Sequence, residues 1–351
     1  MSVRDRLAVR HDKVASLWDR IGVWVAPLAL IAVVLLSFGI GKYPISVGDF
    51  MASVAGRLTG QPTAIDPTID TVLWQVRLPR VLAGLAVGAA LAAAGATYQG
   101  LFRNPLVSPD ILGVSAGASL GAVLGIFLSL PVLLIQLLAF IGGLAAVALV
   151  YAVGAAIRTR DPILVLVLAG VAVGALLGAC LSLLKVLADP YNQLPAITYW
   201  LLGSLAAVTR GDLVSVLPAL LVGFIPIVLL RWRMNLMTLG DEEARALGVD
   251  TTRLRAIFIA GATLITAASV SITGVIGWIG LLIPHIARML VGPDFGRLLL
   301  ASVMLGGGYL VGIDALARSI ATMETPLGIL TAALGAPFFL YLLATTRKGW
   351  E

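Results

Sequence analysis

Read as a succession of apolar and polar stretches, the chain falls into long apolar runs divided by short polar breaks. A bilayer core takes roughly 20 apolar residues per helix. On that measure spans are expected near 22–41, 81–99, 111–130, 132–156, 163–188, 212–230, 256–274, 275–291, 299–317 and 327–345. The block 256–291 is almost unbroken, and as one helix it would run about 54 Å, far beyond a hydrocarbon layer of about 30 Å. It must turn back, and Thr273-Gly274 is the expected place. The pattern predicts an all-α, polytopic transmembrane bundle of about ten spans. A tail at 1–21 precedes a single ten-helix domain at 22–345, which carries a polar loop at 234–252, and a short tail follows at 346–351.

Glycine spacing suggests how the helices meet. Gly113, Gly117, Gly121 and Gly125 recur every fourth residue, as do Gly170, Gly174 and Gly178, with Ser182 continuing the second row. Each set forms a smooth stripe along which lipid-embedded helices can bring their backbones together.

Composition agrees with a membrane protein: 60% of residues are hydrophobic and 12% charged, against about a quarter charged in soluble domains. The lone Cys180 excludes an intrachain disulfide, and His11 and His285 have no partner at metal-ligand spacing. A net charge of +6 is spread between the apolar runs rather than gathered on one face, which argues against nucleic acid as a partner. The basic residues instead report orientation. With both termini inside, 17 of the 24 Lys and Arg fall on the cytoplasmic side and 7 outside, the positive-inside pattern.

Ionisable residues avoid the span centres, where an ion-coupled transporter carries its acidic groups. Asp314, near the outer end of the ninth run, is the one fair candidate. No phosphate-binding loop of the G-x-x-x-x-G-K-[ST] type occurs, so an energy source from nucleotide must lie in another chain.

Three polar or patterned segments stand out. The first is Arg77-Leu78-Pro79-Arg80 entering the second span, with Gly100-Leu101-Phe102-Arg103-Asn104-Pro105-Leu106 at its far end. The second is Leu239-Gly240-Asp241-Glu242-Glu243-Ala244-Arg245-Ala246-Leu247-Gly248-Val249. There Asp241 is suited to cap a short helix and Gly248 to end it, and Leu239, Glu243 and Leu247 share a side at i, i+4, i+8. The third is Gly280-Leu281-Leu282-Ile283-Pro284-His285-Ile286-Ala287-Arg288, followed by Glu324-Thr325-Pro326-Leu327-Gly328 and Leu334-Gly335-Ala336-Pro337-Phe338.

In order and spacing these segments resemble the FecCD-type permeases, bacterial importers of iron-siderophores, haem and vitamin B12, over residues 27–345. The resemblance implies a non-catalytic transport subunit in the bacterial inner membrane, paired with a second copy of itself. It also implies two cytoplasmic ATPase subunits, which bind the ATP and magnesium, and a substrate-binding protein on the outer face. Its cargo is expected to be an iron-siderophore-like chelate, with haem, cobalamin or a molybdate-type oxyanion as alternatives. An ion-coupled secondary transporter is the alternative from another class.

By the same resemblance, Arg77, Arg80 and Arg318 correspond to arginines that receive acidic residues of the binding protein; lipid-headgroup anchoring is the other reading. Leu239, Gly240, Asp241, Glu243, Ala244, Leu247 and Gly248 correspond to the coupling helices that sit in an ATPase groove. Tyr199, Trp200 and Gly203 fall in the short helix of an outer gate, although the two aromatics also suit an interfacial belt. Thr159, Arg160 and Asp161 fall in the tight turn of an inner gate.

Overall fold

The computed structural model describes residues 26–60, 65–157, 162–321 and 323–345, and every regular element among them is helical. The first helix, α1, is Ala26–Gly39. Next come α2 (Val47–Thr59) and the short α3 (Pro67–Thr71), which passes through a π-helical turn, Val72–Arg77, straight into α4 (Leu78–Leu101). A 3₁₀ turn, Pro109–Leu112, precedes α5 (Val114–Phe127), α6 (Val132–Ala156), α7 (Pro162–Leu187) and α8 (Gln193–Leu201). The rest is α9 (Arg210–Leu229), α10 (Arg231–Met237), α11 (Asp241–Ala246), α12 (Thr251–Thr273), α13 (Ile279–Val291), α14 (Phe295–Ala317) and α15 (Leu327–Thr345). Among the described residues, six helical stretches are long and apolar enough to cross a bilayer: Pro67–Leu101, which ends in α4, together with α6, α7, α9, α12 and α14. The apolar helices α1, α5, α13 and α15 are shorter.

The hub is α4, buried almost continuously from Pro79 to Leu101 and packed against α12, α13 and α14. Its alanines and glycines leave no polar face, and within that stretch only the strip of Leu82, Leu85, Ala86 and Ala89 reaches the surface. Small side chains also let its neighbours approach: Gly88 lies against the backbone of Gly306 in α14, and Gly95 against that of Gly280 in α13. A Cβ at either position would collide with a carbonyl group.

The first glycine stripe is a packing seam, with Gly117 against Gly142 and Gly121 against the Leu138 backbone on α6. The second is different. Gly170 abuts the Ile111 carbonyl, but Gly174 and Gly178 face open space.

The apolar block 256–291 does turn back after Thr273, where Gly274 ends α12 with φ 71°. Helix α13 starts at Ile279 rather than near 275, because 274–278 crosses back outside any helix. Trp278 closes this break with φ 71°, an uncommon conformation for a bulky residue. Its ring is held against Gly335 and makes an edge contact with Phe339, 6.3 Å between centroids.

Pro284 lies inside α13 and has no N–H to give the Gly280 carbonyl four residues earlier. Gln99 of α4 donates there instead, at 3.4 Å from the Gly280 oxygen and 3.1 Å from the Leu281 oxygen. One buried amide thus repairs the kink and ties α13 to the hub.

Helices α4 and α14 run antiparallel. Arg80 meets Asp314 at one end of the pair, while Gly100 meets Met234 and Phe295 at the other. At about 1.5 Å per residue, 24-residue α4 separates those ends by roughly 36 Å. A polar cluster lies at each end.

Candidate functional site

At the first end three arginines converge, all nearly inaccessible: Arg77, Arg80 and Arg318 are 3%, 5% and 7% exposed. Arg80 is aimed by the start of α4, and its Nε donates to Asp314 Oδ1 at 2.7 Å. Its two terminal nitrogens fork onto Glu324 Oε1 and Oε2 at 3.0 and 2.8 Å, a planar bidentate match. Arg318, one turn beyond Asp314, pairs with Asp314 Oδ2 at 3.1 Å. It also donates to the carbonyls of Ile40 at 3.0 Å and Ser37 at 3.3 Å. Arg77 ends the π turn and donates to the carbonyls of Phe38 and Tyr43. Gly41 fits against both guanidinium groups, where a side chain would press on Arg77.

The arrangement binds the end of α1, the start of α4, the end of α14 and the segment before α15 into one unit. Sequence reading places these arginines on an open outer surface, whereas here their donors are taken up inside the protein. The most water-accessible member is Glu324, with a side chain 30% exposed. Burial alone would push its carboxyl up, but the Arg80 fork, with Lys42 and Arg318 nearby, holds it below the ordinary glutamate value.

Helix α8 adjoins this cluster. Tyr199 is half exposed, and its hydroxyl donates to the Glu324 carbonyl at 3.2 Å. Trp200 packs against the buried cluster of Ala118, Ala122, Ala139 and Val270. Gly203 takes φ 71° against the Val275 carbonyl, where a Cβ would clash. Its own carbonyl accepts from Leu327 N–H at 2.9 Å, and Ser204 N–H donates to Thr273 at 2.8 Å. The three proposed gate residues therefore join α8 to the break at 274–278 and to the first turn of α15. Thr159, Arg160 and Asp161 lie outside the described residues.

At the opposite end, α10 and α11 form the polar loop. Gly240, with φ 126°, opens α11, and no side chain caps it. Asp241 does not act as the expected cap; instead it accepts from Arg255 of α12 at 2.7 and 2.9 Å, which fastens the loop to a long helix. The C-terminal end is as expected. Gly248 has φ 80°, its N–H bonds to Arg245 at 2.9 Å, and Val249 N–H bonds to Ala244 at 3.0 Å, the Schellman pattern. Ala244 is fully buried and supports the loop from within. Glu243 is exposed, and Leu239 and Leu247 are 51% and 61% exposed.

Asp314, Glu324 and Gln99 are the polar residues whose roles sequence reading misses. Their partners are far away in the chain, 234 and 244 residues for the two carboxylates of Arg80. The signal that could have found Gln99 is a lone amide in an apolar run, paired with a proline inside another.

The FecCD transport family model matches residues 29–345. The molybdate import system permease protein of Haemophilus influenzae is 38% identical over 324 residues, covering 92% of this chain and 95% of that protein. The cobalamin import system permease protein of Halobacterium salinarum is 44% identical over 280 residues, covering 80% and 75%. Among solved structures, an inward-facing ABC transporter of metal-chelate type superposes with a TM-score of 0.80 at 38% identity, covering 92% of this chain and 98% of that one.

Proposed function

The chain belongs to the FecCD transport family, and from that premise we propose that it is the membrane-spanning permease subunit of an ATP-binding-cassette importer in a bacterial cytoplasmic membrane. Its ten apolar helices, α1, α4, α5, α6, α7, α9, α12, α13, α14 and α15, form one domain with both termini in the cytoplasm. Two copies pair, two ATPase subunits attach at the cytoplasmic end, and a substrate-binding protein docks outside.

The observation that carries this reading is the pair of exposed leucines, Leu239 and Leu247, flanking a short, firmly anchored helix. In a loop that met only water they would gain nothing by exposure. As anchors in a partner's groove each contributes on the order of 1.5–3 kcal/mol. The arginine cluster at the far end is the docking floor. An acidic side chain of the binding protein reaches Arg80 by displacing Glu324, the cluster's accessible carboxylate. Helix α8, tied to that same glutamate through Tyr199, is the outer gate, and the turn holding Thr159, Arg160 and Asp161 is the inner one.

The cargo we assign is an iron-siderophore-type chelate. Gly174 and Gly178 leave open space along α7, which suits a bulky ligand recognised elsewhere better than a small ion held by side chains. The coupled-transporter reading loses its one candidate carboxylate, since Asp314 is held by two arginines.

Because the chain has no phosphate-binding loop, the purified permease should hydrolyse no ATP alone and acquire hydrolysis when an ATPase subunit is added. Contaminant-free turnover by the chain alone would refute the assignment.

A further inference from the structure

A second cationic feature lies beside the polar loop, where the end of α9 and the start of α10 meet the start of α14. A groove of about 500 Å³ opens there on the side of the bundle. Its walls are apolar, with Phe224 and Val228 from α9 and Leu300 and Val303 from α14. Val228 and Leu300 are exposed, so the groove faces the surroundings rather than the core.

Its mouth is different. Arg231, just past α9, and Arg297, in the first turn of α14, both line it. The Arg231 side chain lies over Gly296, where an added Cβ would sit 3.6 Å from its Cδ. Neither guanidinium forms an ion pair among the described residues. Asp294 is the opposing charge, but its carboxylate is engaged by the Arg297 N–H at 3.0 Å and the Asn235 amide at 2.8 Å. Two arginines against one committed carboxylate leave the mouth positive. Next to it Trp232 is 60% exposed, with Arg233 over its ring at 5.9 Å. An exposed Trp flanked by arginines marks headgroup depth.

We propose that this groove is a binding site for an anionic phospholipid of the cytoplasmic leaflet, with its phosphate between Arg231 and Arg297 and one acyl chain along Phe224, Val228, Leu300 and Val303. Arginines recognise phosphate oxygens through paired, charge-assisted hydrogen bonds, and basic pockets between spans on the cytoplasmic side suit acidic headgroups. The apolar walls select a lipid over a free phosphate or an acidic protein surface, neither of which would fill them. The inference rests on the membrane orientation proposed above, though not on ATP coupling or cargo.

The test uses the full chain in mild detergent, without ATPase, and native mass spectrometry with phosphatidylglycerol, phosphatidylcholine and glycerol 1-phosphate as probes. One phosphatidylglycerol should bind per chain with a preference of about tenfold or more over phosphatidylcholine, given roughly 1 kcal/mol per arginine near an anionic headgroup. Joint Arg231→Gln and Arg297→Gln should remove that preference. Val303→Trp, which fills the groove and keeps both arginines, should displace phosphatidylglycerol as well, and it decides the matter if the double variant does not fold. Equal binding of the two lipids, or phosphatidylglycerol binding unchanged by Val303→Trp, overturns the proposal. Competition by glycerol 1-phosphate as effective as that by intact lipid makes this a phosphate site and overturns it too. So does a wild type that retains no phosphatidylglycerol while the double variant, in a separate co-purification with an ATPase subunit, loses attachment, which would assign the mouth to the partner.

Discussion

Asp314 is 1% exposed and bridges two arginines, whereas Glu324 is held by the Arg80 fork and remains partly wet. The two carboxylates are therefore not equivalent. Asp314→Asn removes the counter-charge shared by two buried guanidinium groups and should destabilise the protein by about 3 kcal/mol, the low end for breaking a buried pair because Glu324 and two carbonyls still accept from them. Glu324→Gln should lose about 1 kcal/mol, because its exposure lets water replace part of the lost contact. Melting of the two variants in the same detergent checks the order, and equal losses would mean that the cluster is not organised around Asp314. Glu324 also sets a pH response. Its folded-state pKa lies below the ordinary glutamate value, so its contribution is complete above that value and disappears as pH falls through the lowered one. Protection factors for amide exchange across 323–327, the intrinsic rate at each pH divided by the measured rate, should be steady near neutrality and fall in acid, and Glu324→Gln should abolish that fall.

At the scale of elements, α11 shows what a short helix needs when it stands alone. Six residues are too few to be stable by propensity, so it depends on the Schellman end at Gly248, the buried Ala244 and the Asp241–Arg255 pair. These fix the loop and leave Leu239 and Leu247 exposed on either side of it. Replacing both leucines with Asp should leave folding and outer-face docking intact while detaching the ATPase, measured as loss of co-purification. A cysteine at exposed position 246 should crosslink to the ATPase, and one at buried Ala244 should not. Retention of the ATPase by the double Asp variant would reduce the loop to a solvated hairpin. Sequence reading reached Gly248, because a glycine after a short polar helix has one common use, but it misassigned Asp241. Gly240 takes the cap position and Asp241 falls one residue inside the helix, from where its carboxylate reaches Arg255.

For the molecule as a whole, the long helices were legible because lipid leaves a chain few alternatives: α6 has the predicted bounds, bilayer thickness demanded a turn within 256–291, and the glycine at 274 marked its place. Helix α2 was passed over, although Ser46 with Asp49 at its start and Gly60 at its end are capping signals. It is too polar to register as a span. The cluster joining Arg77, Arg80 and Arg318 to Asp314 and Glu324 was legible only as separate charges, since nothing local pairs residues more than 200 positions apart. What the molecule presents is a buried arginine cluster with α8 beside it at one end, two exposed leucines flanking an anchored short helix at the other, and a small-residue hub between them. Such a machine should move cargo one way, driven from the leucine end. The direct measurement is uptake of an iron chelate into proteoliposomes holding this chain and its ATPase, with ATP supplied only on the side of α11 and the binding protein only on the side of Arg80. Accumulation on the ATP side that requires both additions is the predicted result; accumulation driven by an ion gradient without ATP would contradict the account.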